Sequence, residues 1–199
     1  MRSTEGSDNS ALPGYLAAAT IILLVGMVLT RVVLLSRART HAMHFGGTDK
    51  TDFFIPPVAL LYIYTIFAAA FDWPLLGGVR FFQSAAVAWI GVGLCCAGLL
   101  VMLASLISFG RSFRVGIDVD RHDELVTTGV FAWSRNPIYV ALFLVLVGQF
   151  LVFPNWVPLV YLFAGTWLFH RQVLREEEFM RRQYGEAYAA YCQRVRRYV

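Results

Sequence analysis

Five apolar stretches separated by polar segments constrain this chain more than any other feature. A helix needs about 20 predominantly apolar residues to cross a bilayer, and the first three stretches reach about that length. Charged residues make up only 15% of the chain, whereas about 25% is usual for a soluble domain. We therefore predict an all-α integral membrane protein with about five transmembrane helices. These cover residues 12–35, 53–71, 81–109, 137–153 and 156–170.

The stretches indicate a single membrane domain over residues 1–199, since no composition shift marks a second one. Only Pro154 and Asn155 separate the last two stretches, which predicts a short helical hairpin whose second helix continues into the charged segment beyond. The first stretch exceeds a signal-peptide core and is interpreted as a retained helix. The domain thus divides into a polar N-terminus (1–11), three spanning helices (12–109) and a C-terminal region that contains the polar motifs (110–199).

The distribution of Lys and Arg predicts the orientation. Five spans place residues 36–52, 110–136 and 171–199 at one membrane face, and these segments contain most of the basic residues. Only Arg2 and Arg80 fall clearly at the other face. Because basic residues favour the cytoplasmic side, we expect the N-terminus outside and the C-terminus in the cytosol.

Cysteine and histidine patterns give no metal signal. Cys95 and Cys96 lie inside an apolar stretch and Cys192 lies near the C-terminus, without CxxC spacing or a cysteine–histidine cluster. His41 and His44 are interpreted as surface-loop residues. No metal partner is therefore expected. The net charge of +4 is explained by membrane orientation, so no nucleic-acid partner is expected either.

A polar island interrupts the apolar sequence at residues 125–139, and we call it the first island. Gly129 permits a tight turn or a close approach. Pro137 is placed to begin the fourth helix, with Asn136 as its N-cap. Free N–H groups at that helix start favour an anionic group. The structural alternative is that Asn136 and Pro137 only start a helix.

A second island, residues 175–178, follows one helical hairpin later. The hairpin returns the chain to the same membrane face, so we expect Glu176 and Glu177 to approach the first island. A carboxylate there suits an amine or a ribose diol, and Arg171 or Arg175 suits a carboxylate. Glu178 and Glu186 are expected to be ordinary solvated residues on an amphipathic helix.

The order of these motifs resembles a known family. Leu125-Val126-Thr127-Thr128-Gly129-Val130-Phe131 is followed by Arg135-Asn136-Pro137-Ile138-Tyr139, by Glu176-Glu177 and by Tyr184-Gly185-Glu186-Ala187-Tyr188-Ala189-Ala190-Tyr191. This succession, over residues 123–197, is similar to the isoprenylcysteine carboxyl methyltransferases, which are related to the phospholipid N-methyltransferases. The first three apolar stretches match only as hydrophobic spans.

The resemblance implies S-adenosylmethionine as cofactor, bound on the cytosolic side in region 110–199. It implies Arg171 or Arg175 as the substrate-contacting, catalytic arginine. Asn136 replaces a usual His and cannot titrate, and Phe131 replaces a frequent Tyr. The implied cofactor-binding residues are Leu125, Val126, Gly129, Phe131, Arg135, Asn136, Pro137, Ile138 and Tyr139, with Glu176 or Glu177.

The predicted function is therefore methyl transfer from S-adenosylmethionine to a lipophilic acceptor in the bilayer, by family default the carboxylate of an isoprenylcysteine-like small molecule or lipidated substrate. Phospholipid or amine N-methylation and thiol S-methylation are alternatives. A sterol-reductase-like NADPH enzyme is a further alternative, but such enzymes favour Asn where Ile138 stands. A third alternative, a membrane protein without enzymatic activity, would not explain why the two islands converge. Candidate residues for a lipid-facing slot are Trp133, Tyr139, Trp156, Tyr161 and Trp167, with an interfacial belt as the alternative for Trp156.

Overall fold

A computed structural model describes residues 5–37, 55–74, 80–109 and 125–199. The described residues form five α-helices and one 3-10 turn, Gly129–Ala132, which confirms the all-α prediction. The helices are α1 (Glu5–Arg37), α2 (Ile55–Ala70), α3 (Ala85–Phe109), α4 (Pro137–Val152) and α5 (Trp156–Arg194).

The α4–α5 hairpin agrees with the sequence prediction. Asn155 caps α5 by accepting a hydrogen bond from the Val157 N–H at 2.9 Å. As predicted, α5 continues far beyond its apolar half. Gly185 interrupts it with a φ of +51°, a conformation that favours glycine. The kink redirects the last helical turns toward the start of α4.

The α3–α4 pair is the most extensive helix interface. A Cβ atom on Gly148 would lie 2.5 Å from the Gly91 carbonyl oxygen, and one on Gly98 would lie 2.8 Å from the Ala141 carbonyl oxygen. Small residues therefore let the two backbones touch, as expected for helices packed in a membrane. Gly93, a further glycine of α3, faces open space instead.

A buried glutamine attaches α1 to α4. The Gln149 Nε2 atom donates to the Ala17 carbonyl oxygen at 2.7 Å and to the Thr20 hydroxyl at 2.9 Å. Gln149 is fully buried beside an apolar cluster of the core. Because an unpaired amide N–H there is costly, these two bonds tie α1 to α4.

Two stretches of the described residues, Ala11–Thr30 and Ala85–Phe109, are long and apolar enough to cross a membrane. The apolar parts of α2 and α4, Pro57–Ala70 and Pro137–Val152, are shorter. The helix count agrees with the sequence prediction, but the five-span topology and its orientation stay predictions. Much of the basic sequence behind that orientation lies outside the described residues.

Aromatic side chains gather at the α4–α5 turn. Trp156 makes an edge contact with Phe81, with ring centroids 5.0 Å apart, and is largely exposed. Trp133 precedes α4 and therefore lies at the opposite end of the hairpin. Trp156 does not join Trp133 in one slot, and its position fits the alternative of an interfacial belt.

Candidate active site at the end of the helical hairpin

The two islands meet, and a third segment joins them. Residues 195–199, which we call the strap, follow α5 and run beside the first island. Ser134 and Arg196 form a parallel β-bridge, and the Arg135 N–H donates to the Arg196 carbonyl oxygen at 3.0 Å. The Ser134 hydroxyl donates to the Arg197 carbonyl oxygen at 3.4 Å. The site is therefore built from the start of α4, the middle of α5 and the strap.

Glu177 is the centre of an ionic cluster. Its side chain is 5% exposed and accepts two guanidinium groups, from Arg197 at 2.9 Å and from Arg135 at 3.4 Å. The Arg197 Nε atom also donates to both carboxylate oxygens, at 3.1 and 3.2 Å. A buried carboxylate is tolerated only when it is paired and hydrogen-bonded. This cluster meets that requirement and joins all three segments.

Asn136 occupies the N-cap position of α4, as predicted, but its side chain makes no capping hydrogen bond. The amide Nδ2 atom donates instead to the Arg197 carbonyl oxygen at 3.1 Å and to Glu177 Oε1 at 3.5 Å. The expectation of a simple helix cap is thus corrected, because the amide is used for contacts between segments.

Glu176, the neighbouring carboxylate, has different surroundings. The Tyr139 hydroxyl donates to its Oε1 atom at 2.6 Å, and Gln172 Nε2 donates to the same oxygen at 3.1 Å. Both donors are neutral, and no lysine or arginine among the described residues forms an ion pair with Glu176. Burial raises the pKa of Glu176 although these two donors oppose the shift. Within the described part of the chain, Glu176 is therefore held by neutral donors, whereas Glu177 is held by two guanidinium groups.

The 3-10 turn is packed as scaffold. Phe131 is 5% exposed and meets Phe109 edge-on, with ring centroids 4.6 Å apart. The Tyr191 hydroxyl donates to the Phe131 carbonyl oxygen at 2.6 Å. Burial raises the pKa of Tyr191 to about 12, which keeps its phenol protonated as a donor. Gly129 has a φ of +63°, and a Cβ there would collide with Ser108.

The remaining candidates lie in two other environments, the apolar interior and the exposed face of α5. Ile138 packs against the Met102 cluster below the site. Leu125 and Val126 are half-buried at the start of the described segment. On the exposed face of α5, the Arg171 guanidinium lies 5.9 Å from the centre of the Trp167 ring, and Arg175 is also exposed.

The prediction for Glu178 is confirmed. It forms a surface ion pair with Arg182, one turn along α5, in which both side chains are mostly exposed. Such pairs contribute little to stability.

Sequence reasoning missed the strap. Arg197 was counted only as a basic residue of the cytosolic face, and Tyr198 was not considered. Tyr198 hydrogen-bonds His170 Nδ1 at 2.7 Å. The available signal was charge balance, since a buried acidic pair beside a membrane requires cations.

A cavity of about 500 Å³ lies between the first island, α3 and the strap. Its apolar wall is formed by Val101, Val130, Pro137 and Val140. The volume is within the range of small-molecule sites, about 300–1,000 Å³. A partly open groove with one apolar wall therefore lies beside the first island and the strap.

Comparison with known proteins agrees with this arrangement. A protein-S-isoprenylcysteine O-methyltransferase of Tribolium castaneum is 29% identical over 110 residues, covering 53% of this chain and 39% of the relative. The Schizosaccharomyces pombe enzyme of that name is 27% identical, covering 52% and 45%. Protein-S-isoprenylcysteine O-methyltransferase A of Arabidopsis thaliana is 31% identical, covering 53% and 55%.

The chain thus spans about half the length of these relatives, or less. They confirm the predicted resemblance to isoprenylcysteine carboxyl methyltransferases. The phospholipid methyltransferase family model matches residues 86–187, which is just over half of the chain and includes both islands. The chain therefore belongs to the phospholipid methyltransferase family.

Proposed function

We propose that this protein is a membrane methyltransferase that transfers a methyl group from S-adenosylmethionine to a lipophilic acceptor. The observation that carries the proposal is the convergence of Tyr139, Glu176, Arg135 and Glu177 at one end of the α4–α5 hairpin, inside the region matched by the family model. The names of the relatives support an isoprenylcysteine carboxylate as the acceptor.

Charged groups at the site suit this cofactor, which has an ammonium, a carboxylate, a ribose diol and a sulfonium. Glu176 has only neutral donors among the described residues and is the better candidate for a cationic or diol contact. Arg135 Nε is buried without a hydrogen-bond partner in the described part of the chain. A ligand carboxylate that reached this atom would satisfy its one unused donor. We propose Glu177 as the residue that positions Arg135 for this contact.

Other predicted contacts are proposed with different roles. Asn136 positions the strap, and Phe131 and Gly129 hold the backbone of the first island. Leu125, Val126, Pro137 and Ile138 supply apolar packing rather than polar contacts. Arg171 and Arg175 remain candidates for the acceptor carboxylate, because both lie on the exposed face of α5 near the site.

When bound, the cofactor supplies an electrophilic methyl group. The protein has to orient the acceptor oxygen and exclude water. An ionised carboxylate needs no general base, which suits a site where the non-titrating Asn136 occupies a usual histidine position. The apolar cavity beside the first island is proposed to receive the hydrocarbon part of the acceptor.

The membrane arrangement belongs to the same proposal. We propose five spans, an outside N-terminus, and the site and strap at the cytosolic face, within one domain whose region 110–199 binds the cofactor. Cysteine accessibility mapping of intact cells tests this arrangement. Labelling by a membrane-impermeant thiol reagent of a cysteine introduced at Arg80, but not at Glu178, is expected.

Calorimetric titration of the detergent-purified protein with S-adenosylhomocysteine, with NADPH in parallel, tests the cofactor. Micromolar binding of S-adenosylhomocysteine alone is expected. Glu176→Gln is expected to weaken it about tenfold, the loss of one charge-assisted hydrogen bond. The matched Glu178→Gln variant should bind as the unmodified protein does. Binding of NADPH alone would assign the chain to the reductase alternative.

Methyl transfer from radiolabelled S-adenosylmethionine tests the acceptor. An S-prenylated cysteine with a free carboxylate should be labelled, and its methyl ester should not. Labelling of phosphatidylethanolamine vesicles instead would favour N-methylation. Arg171→Ala and Arg175→Ala are compared in steady-state kinetics. The variant that lacks the acceptor-binding arginine should have a raised KM for the acceptor and an unchanged cofactor affinity.

A further inference from the structure

The strap lies against Glu177 and against His170 of α5. Arg197 holds Glu177 through a bidentate contact, and Tyr198 holds His170 of α5. The Tyr198 phenol is also an electrostatic neighbour of Tyr139 and of Glu177. A ligand group that binds at Glu177 therefore has to compete with the strap for this carboxylate.

We propose that the strap is a displaceable gate, latched by the Arg197–Glu177 ion pair, which has to open before S-adenosylmethionine enters. This inference rests on the proposed function, because it names the regulation of the same site. The gate competes with the ligand, so the latch lowers the apparent affinity of the protein.

The two guanidinium groups on Glu177 differ in a way that supports this role. Arg135 is 10% exposed and lies two residues before α4, whereas Arg197 is 34% exposed and comes from the non-helical strap. Solvent weakens the outer pair more than the inner one. Loss of Arg197 leaves Glu177 paired with Arg135, so the latch opens without leaving a buried charge unpaired.

The remaining anchors of the strap are few. Among the described residues, they consist of backbone hydrogen bonds from Val195 to Tyr191 and from Arg135 to Arg196, two polar contacts to the Arg197 carbonyl oxygen and the Tyr198–His170 bond. Segments held by a small number of partly exposed hydrogen bonds open at low free-energy cost. Among the charged contacts of the strap in the described structure, the Arg197–Glu177 pair is the strongest candidate to set the open fraction.

The affinity for S-adenosylhomocysteine distinguishes a strap that has to move from one that stays in place. The apparent dissociation constant of a protein is its intrinsic value divided by the fraction of molecules competent to bind. Arg197→Ala raises that fraction, so we expect roughly three- to tenfold tighter binding and faster association. Arg181→Ala, which removes the same charge from an exposed part of α5, should change neither. Weaker or unchanged binding of Arg197→Ala would overturn the gate.

A covalent lock gives a second test that does not depend on the latch residue. Paired strands lie about 4.8 Å apart, which is within the Cα separation that a disulfide spans. A Ser134→Cys and Arg196→Cys double variant should therefore fix the strap in its closed position. Peptide mass spectrometry identifies the disulfide and excludes pairing with Cys192.

The oxidised double variant is expected to lose S-adenosylhomocysteine binding by at least tenfold, and dithiothreitol is expected to restore it. Equal affinity in the two redox states would show that the strap need not move, and the gate would be refuted while the proposed function stood. No binding by the unmodified protein, by Arg197→Ala or by the reduced double variant would refute the proposed function itself, and the gate with it.

Discussion

The α3–α4 interface and the Glu177 cluster hold helices together in opposite ways. At the α3–α4 interface, Gly91 and Gly148 remove side chains so that two backbones touch. At the cluster, two long arginines and a carboxylate join three segments through their side chains, in addition to the backbone pairing between the first island and the strap. One region is specified by volume and the other by charge.

The comparison explains where such a protein can change shape. Close backbone packing leaves no alternative arrangement without a large loss of contacts. An ion pair with a partly exposed partner can exchange one counter-ion for another at lower cost. The apolar bundle is therefore suited to hold the site, and the polar end is suited to open and close.

Gly148→Leu gives the largest expected effect and tests the volume side of the comparison. The new side chain would collide with the Gly91 carbonyl oxygen and with Cys95, so α3 and α4 have to separate. We expect a loss of about 3 kcal/mol or more, measured as thermal unfolding in detergent. Gly93→Leu, which meets open space, is the matched control. Equal effects of both variants would show that volume does not specify this interface.

Glu177→Ala tests the charge side and is expected to rank second. It leaves Arg135, only 10% exposed, without its carboxylate, and such a loss costs about 3 kcal/mol. Glu178→Ala removes an exposed pair and should change the unfolding free energy by about 0.5 kcal/mol or less. Both values come from denaturant titration followed by tryptophan fluorescence. A cluster that tolerated Glu177→Ala as well as Glu178→Ala would not be a structural element.

Gln149→Leu tests whether one polar contact matters inside the volume-specified region. The variant removes the bonds to Ala17 and Thr20, and we expect a loss of about 1 kcal/mol, as for other hydrogen bonds between membrane helices. Thr166→Val is the control, because the Thr166 hydroxyl bonds only to Leu162 of its own helix. Thermal unfolding in detergent compares the two variants. A larger loss of stability for Thr166→Val would contradict the conclusion that Gln149 stabilises the contact between α1 and α4.

Glu176→Gln is expected to change the stability least, by an amount that depends on pH. Burial raises its pKa, so the folded state keeps the proton to higher pH than the unfolded chain does. The free energy of unfolding then falls as pH rises from the ordinary glutamate pKa through the raised value, and the penalty is complete above it. The unfolding temperature of Glu176→Gln relative to the unmodified protein should therefore increase with pH. Glu178→Gln should show no such trend.

Most of the helical framework could be predicted from the sequence because its signals are local. Apolar length gave the helices, and the Pro154–Asn155 break gave the hairpin that returns Glu176 and Glu177 to the first island. That return is geometric, since a hairpin brings the end of its second helix beside the start of its first. The glycines that let α3 and α4 touch were not local signals of this kind, because Gly93 belongs to the same helix and faces open space.

The sequence by itself determined that the chain is an apolar helical bundle with two polar islands at one end. Only the tertiary structure decided which carboxylate is ion-paired, that Asn136 bonds the strap instead of capping α4, and that Arg197 lies on Glu177. Helix periodicity and apolar length act within a few turns of chain. The pairing of Arg197 with Glu177 depends on the Gly185 kink and on the path of the strap, which no local pattern encodes.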